Sequence, residues 1–459
     1  MSFARVAAAR AESRSFRTPR HCNPGFPSKY SGQALARGSH ARGNDTKWCA
    51  GASRRHDLVQ DLIGRRPAIG RVRSRAVFRY NYGFMDLSDE HIGLEPESSG
   101  ARRDIRDLML DELEAAVADA GERPYRARQI AHWLWGKGVD SFDAMRDLPA
   151  ALRIELAERF ILAPAVAALV RRSSDGTRKL LLRLADGEEI ETVIIPAEDR
   201  TTLCQSSQAG CAMGCEFCAT ARMGLHRNLT TAEIAGQIFA AQRELGPGER
   251  ITNYVFMGMG EPLANYPRLI RTLTAMTSEW GMGISPRRIT VSTVGLVPMM
   301  EKLLAEIPVN LAVSLHASTD AVRDRLAPIN LRYPLAELLA ACRRLPIKAR
   351  SRITFEYVML AGINDGVDDA RRLVKLMAPL RAKVNLIFFN PFAASELERS
   401  PRAAVEAFQA ILHRGNLTAT IRESRGLEIA AACGQLYAER HAAAGAGDPP
   451  SALEQEIQD

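Results

Sequence analysis

Residues 202–220 read TLCQSSQAGCAMGCEFCAT. The segment opens as a strand and then breaks into a loop. In that loop Cys211, Cys215 and Cys218 fall within eight residues, at gaps of three and two. A disulfide framework uses cysteines in pairs, and a structural zinc site wants four protein ligands. Three thiolates suit three corners of a 4Fe–4S cube, with the fourth iron left open to a small ligand. The competing reading is a zinc or redox site completed by another cysteine such as Cys204, but the C-x6-C-x3-C-x2-C spacing fits no common zinc module.

Working outward from this loop, strand-like and helical runs alternate from Thr201 onward. The strand-like runs are TTLCQ, TNYVFMG, RITVSTVG, VNLAVSLH, RITFEYVML, KVNLIFFN and LTATIRES. Alternation of this kind predicts a parallel sheet with helical crossovers, and six or seven units predict a full or partial (βα) barrel. Its active site then lies at the C-terminal ends of the strands, where the cysteine loop sits. The first crossover helix is expected after Thr230, with Glu233 three residues on as a capping box. Upstream, KLLLRLADGEEIETVIIP (residues 179–196) alternates around Asp186-Gly187, a hairpin signal. Before that, DIRDLMLDELEAAVADAG, RARQIAHWLWGKGV and LPAALRIELAERF carry apolar residues at helical spacing.

The expected fold is therefore α/β. An N-terminal helical accessory domain (85–165) and a β-hairpin connector (166–200) precede a partial barrel (201–440) and a flexible tail (441–459). Residues 1–84 hold 17 Lys and Arg against 4 Asp and Glu; the remainder holds 44 against 49. The net charge of +8 is thus carried by one segment. It reads as a disordered extension, a start placed upstream of Met85, or an Arg-rich transit peptide. This weakens a reading of the folded body as a uniformly basic nucleic-acid binder and leaves room for a local basic face. No run of about 18 apolar residues occurs, which predicts no transmembrane helix. Four of the eight cysteines lie within fifteen residues, unlike a secreted disulfide framework, so a reducing compartment is expected, the cytoplasm.

Further polar residues fall at strand ends. Gly260 and Glu261 lie in GMGEPL after the second strand, where glycines admit a ligand and a carboxylate can take an ammonium group. Ser292, Ser314, His316 and Asn390 end later strands and are read as ligand contacts, against strand-end caps or a satisfied core histidine. Cys342 sits on an apolar helical face and reads as a small hydrophobe. Spacing alone gives Cys433 no partner. The local basic residues Arg222, His226 and Arg227 are candidate partner contacts, equally explained as solvated surface.

ETVIIP, the cysteine loop, RNLTTAEI, VFMGMGEPL, STVG, LAVSLHA, NPF and AACGQL, taken together and in order from about Leu108 to Leu436, resemble the RlmN/Cfr family of radical SAM RNA methyltransferases. The resemblance implies one 4Fe–4S cluster on Cys211, Cys215 and Cys218, and two S-adenosylmethionine (SAM) molecules per turnover. It places SAM contacts at Gly260, Glu261, Ser292, Ser314, Leu315, His316 and Asn390. It makes Cys433 the methyl-carrying thiol, Glu191 the base that takes the ring proton, and Cys204 the thiol that resolves the protein–RNA adduct as a disulfide with Cys433. It implies methylation of adenine C2 in 23S rRNA and in tRNA beside the anticodon. An electron donor such as flavodoxin, a thiol reductant and a monomeric state go with it. The alternatives are the C8-methylating resistance branch and a non-catalytic iron–sulfur RNA-binding protein.

Overall fold

The computed structural model describes residues 102–348, 351–392, 395–423 and 425–429, together with 435 and 437. The expectations for residues 1–84, for the tail and for Cys433 lie outside the described residues.

From Asp104 to Phe160 the helical periodicity resolves into three short helices, α1 (Leu110–Asp119), α2 (Tyr125–Ala131) and α3 (Ala150–Arg159). Asp104 caps a separate 3-10 turn, its Oδ1 accepting from the Arg106 amide at 2.8 Å, so the helix expected from Asp104 starts later. Gly121 and Gly138 end the first two helical segments in the left-handed region (φ 72° and 63°). Gly138 is also required by packing, because a Cβ there would lie 2.5 Å from the Phe239 ring.

Strands β1 (Val166–Arg172), β2 (Arg178–Arg183) and β3 (Glu189–Ala197) pair antiparallel, and β3 pairs antiparallel with β4 (Arg200–Cys204). The connector is thus a three-stranded meander rather than a single hairpin. A two-stranded ribbon of β5 (Gln208–Gly210) and β6 (Leu225–Asn228) flanks the cysteine loop, with the short α4 (Ala219–Arg222) inside it. There follow α5 (Thr231–Arg243), β7 (Asn253–Phe256), α6 (Tyr266–Thr277), β8 (Ile289–Thr293), α7 (Val297–Glu306) and β9 (Asn310–Ser314). Then come α8 (Asp320–Leu326), α9 (Leu335–Arg344), β10 (Ile353–Met359), α10 (Val367–Met377), β11 (Ala382–Phe388), α11 (Arg402–Arg414) and β12 (Ala419–Arg422).

All strands but β5 and β6 form one sheet in the order β1-β2-β3-β4-β7-β8-β9-β10-β11-β12. From β4 onward the pairing is parallel. Among the described residues β1 and β12 do not pair, so the barrel is partial. Period-two alternation sorts the barrel strands. Ile289, Val291, Leu311, Val313, Phe355 and Tyr357 are buried in one cluster with Leu269, Leu273, Leu303, Leu338 and Leu373 of the crossover helices. Their neighbours Ser292, Ser314 and Glu356 face a cavity on the inner side. Burying each large apolar side chain stabilises the sheet by about 1.5–3 kcal/mol.

The helical domain docks on the outside of the barrel. Its core of Ile105, Leu113, Ile130, Leu134, Trp135, Leu152 and Leu156 is continuous with Ala235 and Phe239 of α5 and Ala275 of α6. Buried Asp107 accepts from the Ala232 amide at 2.8 Å, in the first turn of α5, where a helix offers unpaired donors. Burial pushes the Asp107 carboxyl up to about 6. The Arg271 guanidinium donates to the Asp107 carbonyl at 2.6 Å and also bonds Glu112. No described helix is long and apolar enough to cross a membrane.

Candidate active site

The capping box expected at Thr230 is formed: Thr230 Oγ1 accepts from the Glu233 amide at 3.2 Å, and Glu233 Oε2 accepts from the Thr230 amide at 2.9 Å. Arg227 is bound to this same Glu233 at 2.7 and 2.8 Å and to Asp186 of the β2–β3 turn at 2.6 Å. His226 contacts Glu188 of that turn at 2.9 Å. Both basic residues are therefore braces between the ribbon and the meander. The ribbon in turn closes the ends of the cysteine loop, with the Cys211 amide donating to Gly224 O at 2.7 Å. Farther along, the Glu216 amide donates to Leu326 O at 3.0 Å and the Glu216 carboxylate binds Arg325. The loop is thereby fixed by backbone bonds and side-chain packing on α8.

Gly210 makes the closure possible. Its φ is 77°, and a Cβ would lie 2.0 Å from Gly224 O. Gly187, at φ 91° with no atom near the Cβ position, carries the conformational strain alone. Gly210→Ala is expected to destabilise the protein by at least about 3 kcal/mol, and Gly187→Ala by only about 1–2 kcal/mol. Thermal denaturation of both variants measures the difference. Equal losses would mean the ribbon does not fix the loop.

Cys211 and Cys215 are buried and Cys218 is half-buried, and the three thiols lie within electrostatic reach of one another. Burial, and then the neighbouring Cys218, pushes the Cys211 thiol up to about 12. Burial, with Cys218 and Cys211, lifts Cys215 well above the ordinary value, and burial also raises Cys218. Buried thiols of this kind ionise against a compensating cation. No three His, Cys, Asp or Glu side chains among the described residues converge on a single ion position. A cube does not ask for such convergence, because each thiolate takes its own iron. The donor set therefore fits the cluster.

The thiols open onto a cavity of about 620 Å³. Cys204, Cys211, Cys215, Cys218, Gly260, Glu261, Ser292, Ser314, His316 and Asn390 all line it, so these expected site residues are brought together. Gly258 and Gly260 let the turn after β7 lie against the chain leading into the loop: a Cβ would come within 2.6 Å of Gln205 backbone or of Gln208. Glu261 is used structurally. Its oxygens accept from the Leu263 amide at 3.0 Å and the Val294 amide at 2.7 Å, and burial lifts its carboxyl to about 7. His316 adopts φ 57°, its Nδ1 accepts the Val358 amide at 3.0 Å, and its ring meets Phe217 edge-on at 4.3 Å. Burial holds it neutral, down to about 3. With Nδ1 accepting, the proton resides on Nε2.

Two expected residues stand apart from the cavity wall. Leu315 is buried in the core. Glu191, on the β3 face that carries Val193 and Ile195 into the cavity, has Oε2 2.9 Å from Lys179 Nζ, and Oε1 accepts the Tyr437 amide at 2.8 Å. Cys204 pairs with Val193 across β3–β4. Cys342 is buried in α9 as a core residue. Lys179 and Glu356 were not singled out by sequence reading; a buried charge is silent until its partner strand is known.

Residues 206–376 match the radical SAM superfamily, and residues 103–162 match the ribosomal RNA large subunit methyltransferase N-terminal domain. The chain is 52% identical over 366 residues to a dual-specificity RNA methyltransferase RlmN from Anaeromyxobacter sp. (strain Fw109-5), covering 77% of this chain and 95% of that protein.

The chain belongs to the RlmN family.

A second RlmN relative, from Geobacter sulfurreducens, is 51% identical, with 72% of this chain and 91% of that one covered. A crystal structure of a radical SAM methyltransferase from Sphaerobacter thermophilus superposes with a TM-score of 0.70 at 46% identity, covering 72% of this chain and 98% of that one. As an RlmN-family member the protein is a radical SAM RNA methyltransferase that uses a 4Fe–4S cluster and SAM.

Proposed function

We propose that this RlmN-family enzyme methylates C2 of a specific adenosine in 23S rRNA and of the adenosine next to the anticodon in tRNA. The reading is supported by the dual-specificity relatives. The observation that carries it is the place of Cys204, outside the three-cysteine motif yet on the wall of the same cavity. In a reaction that passes through a covalent protein–RNA adduct, this thiol is placed to resolve it.

When bound, the cluster and SAM supply the radical chemistry that an electron-poor adenine C–H requires. The chain's own residues do the rest. Cys211, Cys215 and Cys218 hold the cluster. Gly260, Ser292, Ser314, His316 and Asn390 orient the cofactor, with Glu261 bracing the turn and Leu315 the backbone beside it. Cys433 carries the one-carbon unit as a thioether. Glu191 takes the ring proton, its carboxylate held by Lys179. The Cys204 thiolate attacks the Cys433 sulfur; the S–S bond forms as the bond from that sulfur to the bridging methylene carbon breaks, and the electron pair passes to that carbon, which takes up a proton from solvent to become the methyl group. A thiol reductant then restores both cysteines, and an external donor such as flavodoxin feeds the cluster. The target base is extruded into the cavity, with phosphate contacts fixing the RNA. The enzyme acts in the cytoplasm as a monomer, and the division at 85–165, 166–200 and 201–440 belongs to this reading.

Nucleosides from ribosomal and transfer RNA, analysed by mass spectrometry with and without the gene, test it. Deletion is expected to remove 2-methyladenosine from both pools. Loss of 8-methyladenosine instead would assign the C8 reaction, and no change would return the protein to a non-methylating role.

A further inference from the structure

Three carboxylates, Glu261, Glu356 and Glu423, line the cavity, and they are not equivalent. Both Glu261 oxygens are occupied by backbone amides. Glu423 stands at the exposed rim, paired with Arg399 and Arg402. Glu356 is the middle residue of β10 and only 5% exposed. Its Oε1 accepts from Asn385 Nδ2 at 2.9 Å, and Asn385 Oδ1 accepts from Thr420 Oγ1 at 2.5 Å. Its Oε2 is buried and has no hydrogen-bond partner among the described residues.

The arrangement is built by register. Glu356 pairs with Ser314 of β9 on one side and Asn385 of β11 on the other, and Asn385 pairs with Thr420 of β12. Four polar side chains on adjacent strands thus stand at one level. The Thr420–Asn385 chain fixes the Glu356 rotamer and decides which oxygen is left over. A barrel interior is normally filled by branched apolar residues, and a buried acceptor without a donor is destabilising. Such a group persists when a ligand supplies the donor. Asn390 Oδ1, also on the cavity wall, is a second buried acceptor without a partner among the described residues. Two acceptors on the β10–β11 side call for a ligand part rich in neutral donors. Glu356 is three strands from β7, about 14 Å across the sheet, and so faces the end of a ligand remote from the Gly258–Glu261 turn. In SAM, the donors remote from the methionyl group include the vicinal hydroxyls of the ribose.

We infer that Glu356 Oε2 accepts a ribose hydroxyl of bound SAM, with Asn385 and Thr420 as the positioning residues that aim it. The inference rests on the reading that this cavity takes SAM. It adds a carboxylate from the strand interior to the strand-end contacts expected from the sequence.

The test uses the full-length, cluster-loaded enzyme and calorimetric titration with S-adenosylhomocysteine and its 2′-deoxy and 3′-deoxy analogues. The wild type is expected to bind at least one deoxy analogue about tenfold to a hundredfold more weakly than the parent. In Glu356→Gln the amide oxygen stays with Asn385, so an NH2 group faces the hydroxyl and donates to its oxygen, and a charge-assisted bond becomes a neutral one. The parent should weaken by about threefold to tenfold, and the discrimination should fall severalfold below the wild-type ratio. Thr420→Val should lower the discrimination in part. Unchanged melting temperature and iron content separate these effects from misfolding. Should Glu356→Gln misfold, the deoxy series on Glu356→Asp takes its place, with reduced discrimination expected. Retained discrimination in the folded variant, or an equal loss for parent and deoxy ligands, overturns the inference. So does an unchanged nucleoside affinity accompanied by weaker binding of an RNA hairpin, which would assign Glu356 to the substrate. Failure of the wild type to bind S-adenosylhomocysteine at all would strike the cavity reading itself.

Discussion

Replacing Cys204 with alanine is expected to turn the enzyme into a trap for its own RNA. The thiol lies at the end of β4, on the cavity wall, with its strand fixed opposite Val193. The Thr192 hydroxyl donates to the Cys204 carbonyl at 2.7 Å, a contact that the substitution leaves untouched. Alanine is apolar and smaller than cysteine, so the fold is retained. Under the proposed sequence the one-carbon bridge between Cys433 and the adenine still forms, but no second thiol is present to attack the Cys433 sulfur. A denaturing gel with labelled rRNA fragment should show a protein–RNA species that survives boiling and disappears with ribonuclease. Methylated product should fall by more than about a hundredfold. Cys433→Ala should give neither adduct nor product, and the double variant should resemble Cys433→Ala. Multiple turnover by Cys204→Ala would end the two-thiol reading.

The second large effect concerns the loop. Alanine at Cys211, Cys215 or Cys218 removes one of three thiolates from the loop; the other thiol on the cavity wall, Cys204, stands on β4 outside the loop, and Cys342 is buried in α9 and belongs to the core. Iron and sulfide content should fall at least about tenfold, because cluster affinity depends on every deprotonated ligand. RNA methylation should fall by more than about a thousandfold. The loop itself should persist, since its ends are held by Cys211 N to Gly224 O and its middle by Glu216 N to Leu326 O. Cys342→Ala is the matched control: it should cost packing and leave iron content alone. Iron analysis and visible absorption after anaerobic reconstitution distinguish the two. Full iron content in any of the three loop variants would show that the motif is not the cluster site.

Much of this protein was legible locally. The three-cysteine spacing, the Thr230–Glu233 capping box, the Asp186-Gly187 turn and the seven strand-like runs of the barrel are all written in contiguous residues. Each reappears in the structure at the expected place. β1 escaped notice because VAALVRR (166–172) is half exposed and does not alternate cleanly. The β5–β6 ribbon escaped because strands of three and four residues carry too little pattern. His226 and Arg227 looked like surface charge available to RNA, and the structure shows them tied to Glu188, Asp186 and Glu233.

What tertiary structure alone decided is which distant residues share a level and a face. Glu356, Asn385 and Thr420 are separated by 29 and 35 residues in sequence, and none stands out in its own strand. Lys179 and Glu191 occupy different arms of the meander, and neither reads as a buried charge by itself. Strand type and capping follow from side chains within a few residues of one another. Parallel register is set by long crossovers and by packing on the helices. The sequence by itself therefore determined the chemistry of the cysteine loop and the alternation of the barrel. The pairing of strands determined which buried polar groups look into the cavity, and which oxygen of Glu356 is left without a protein partner.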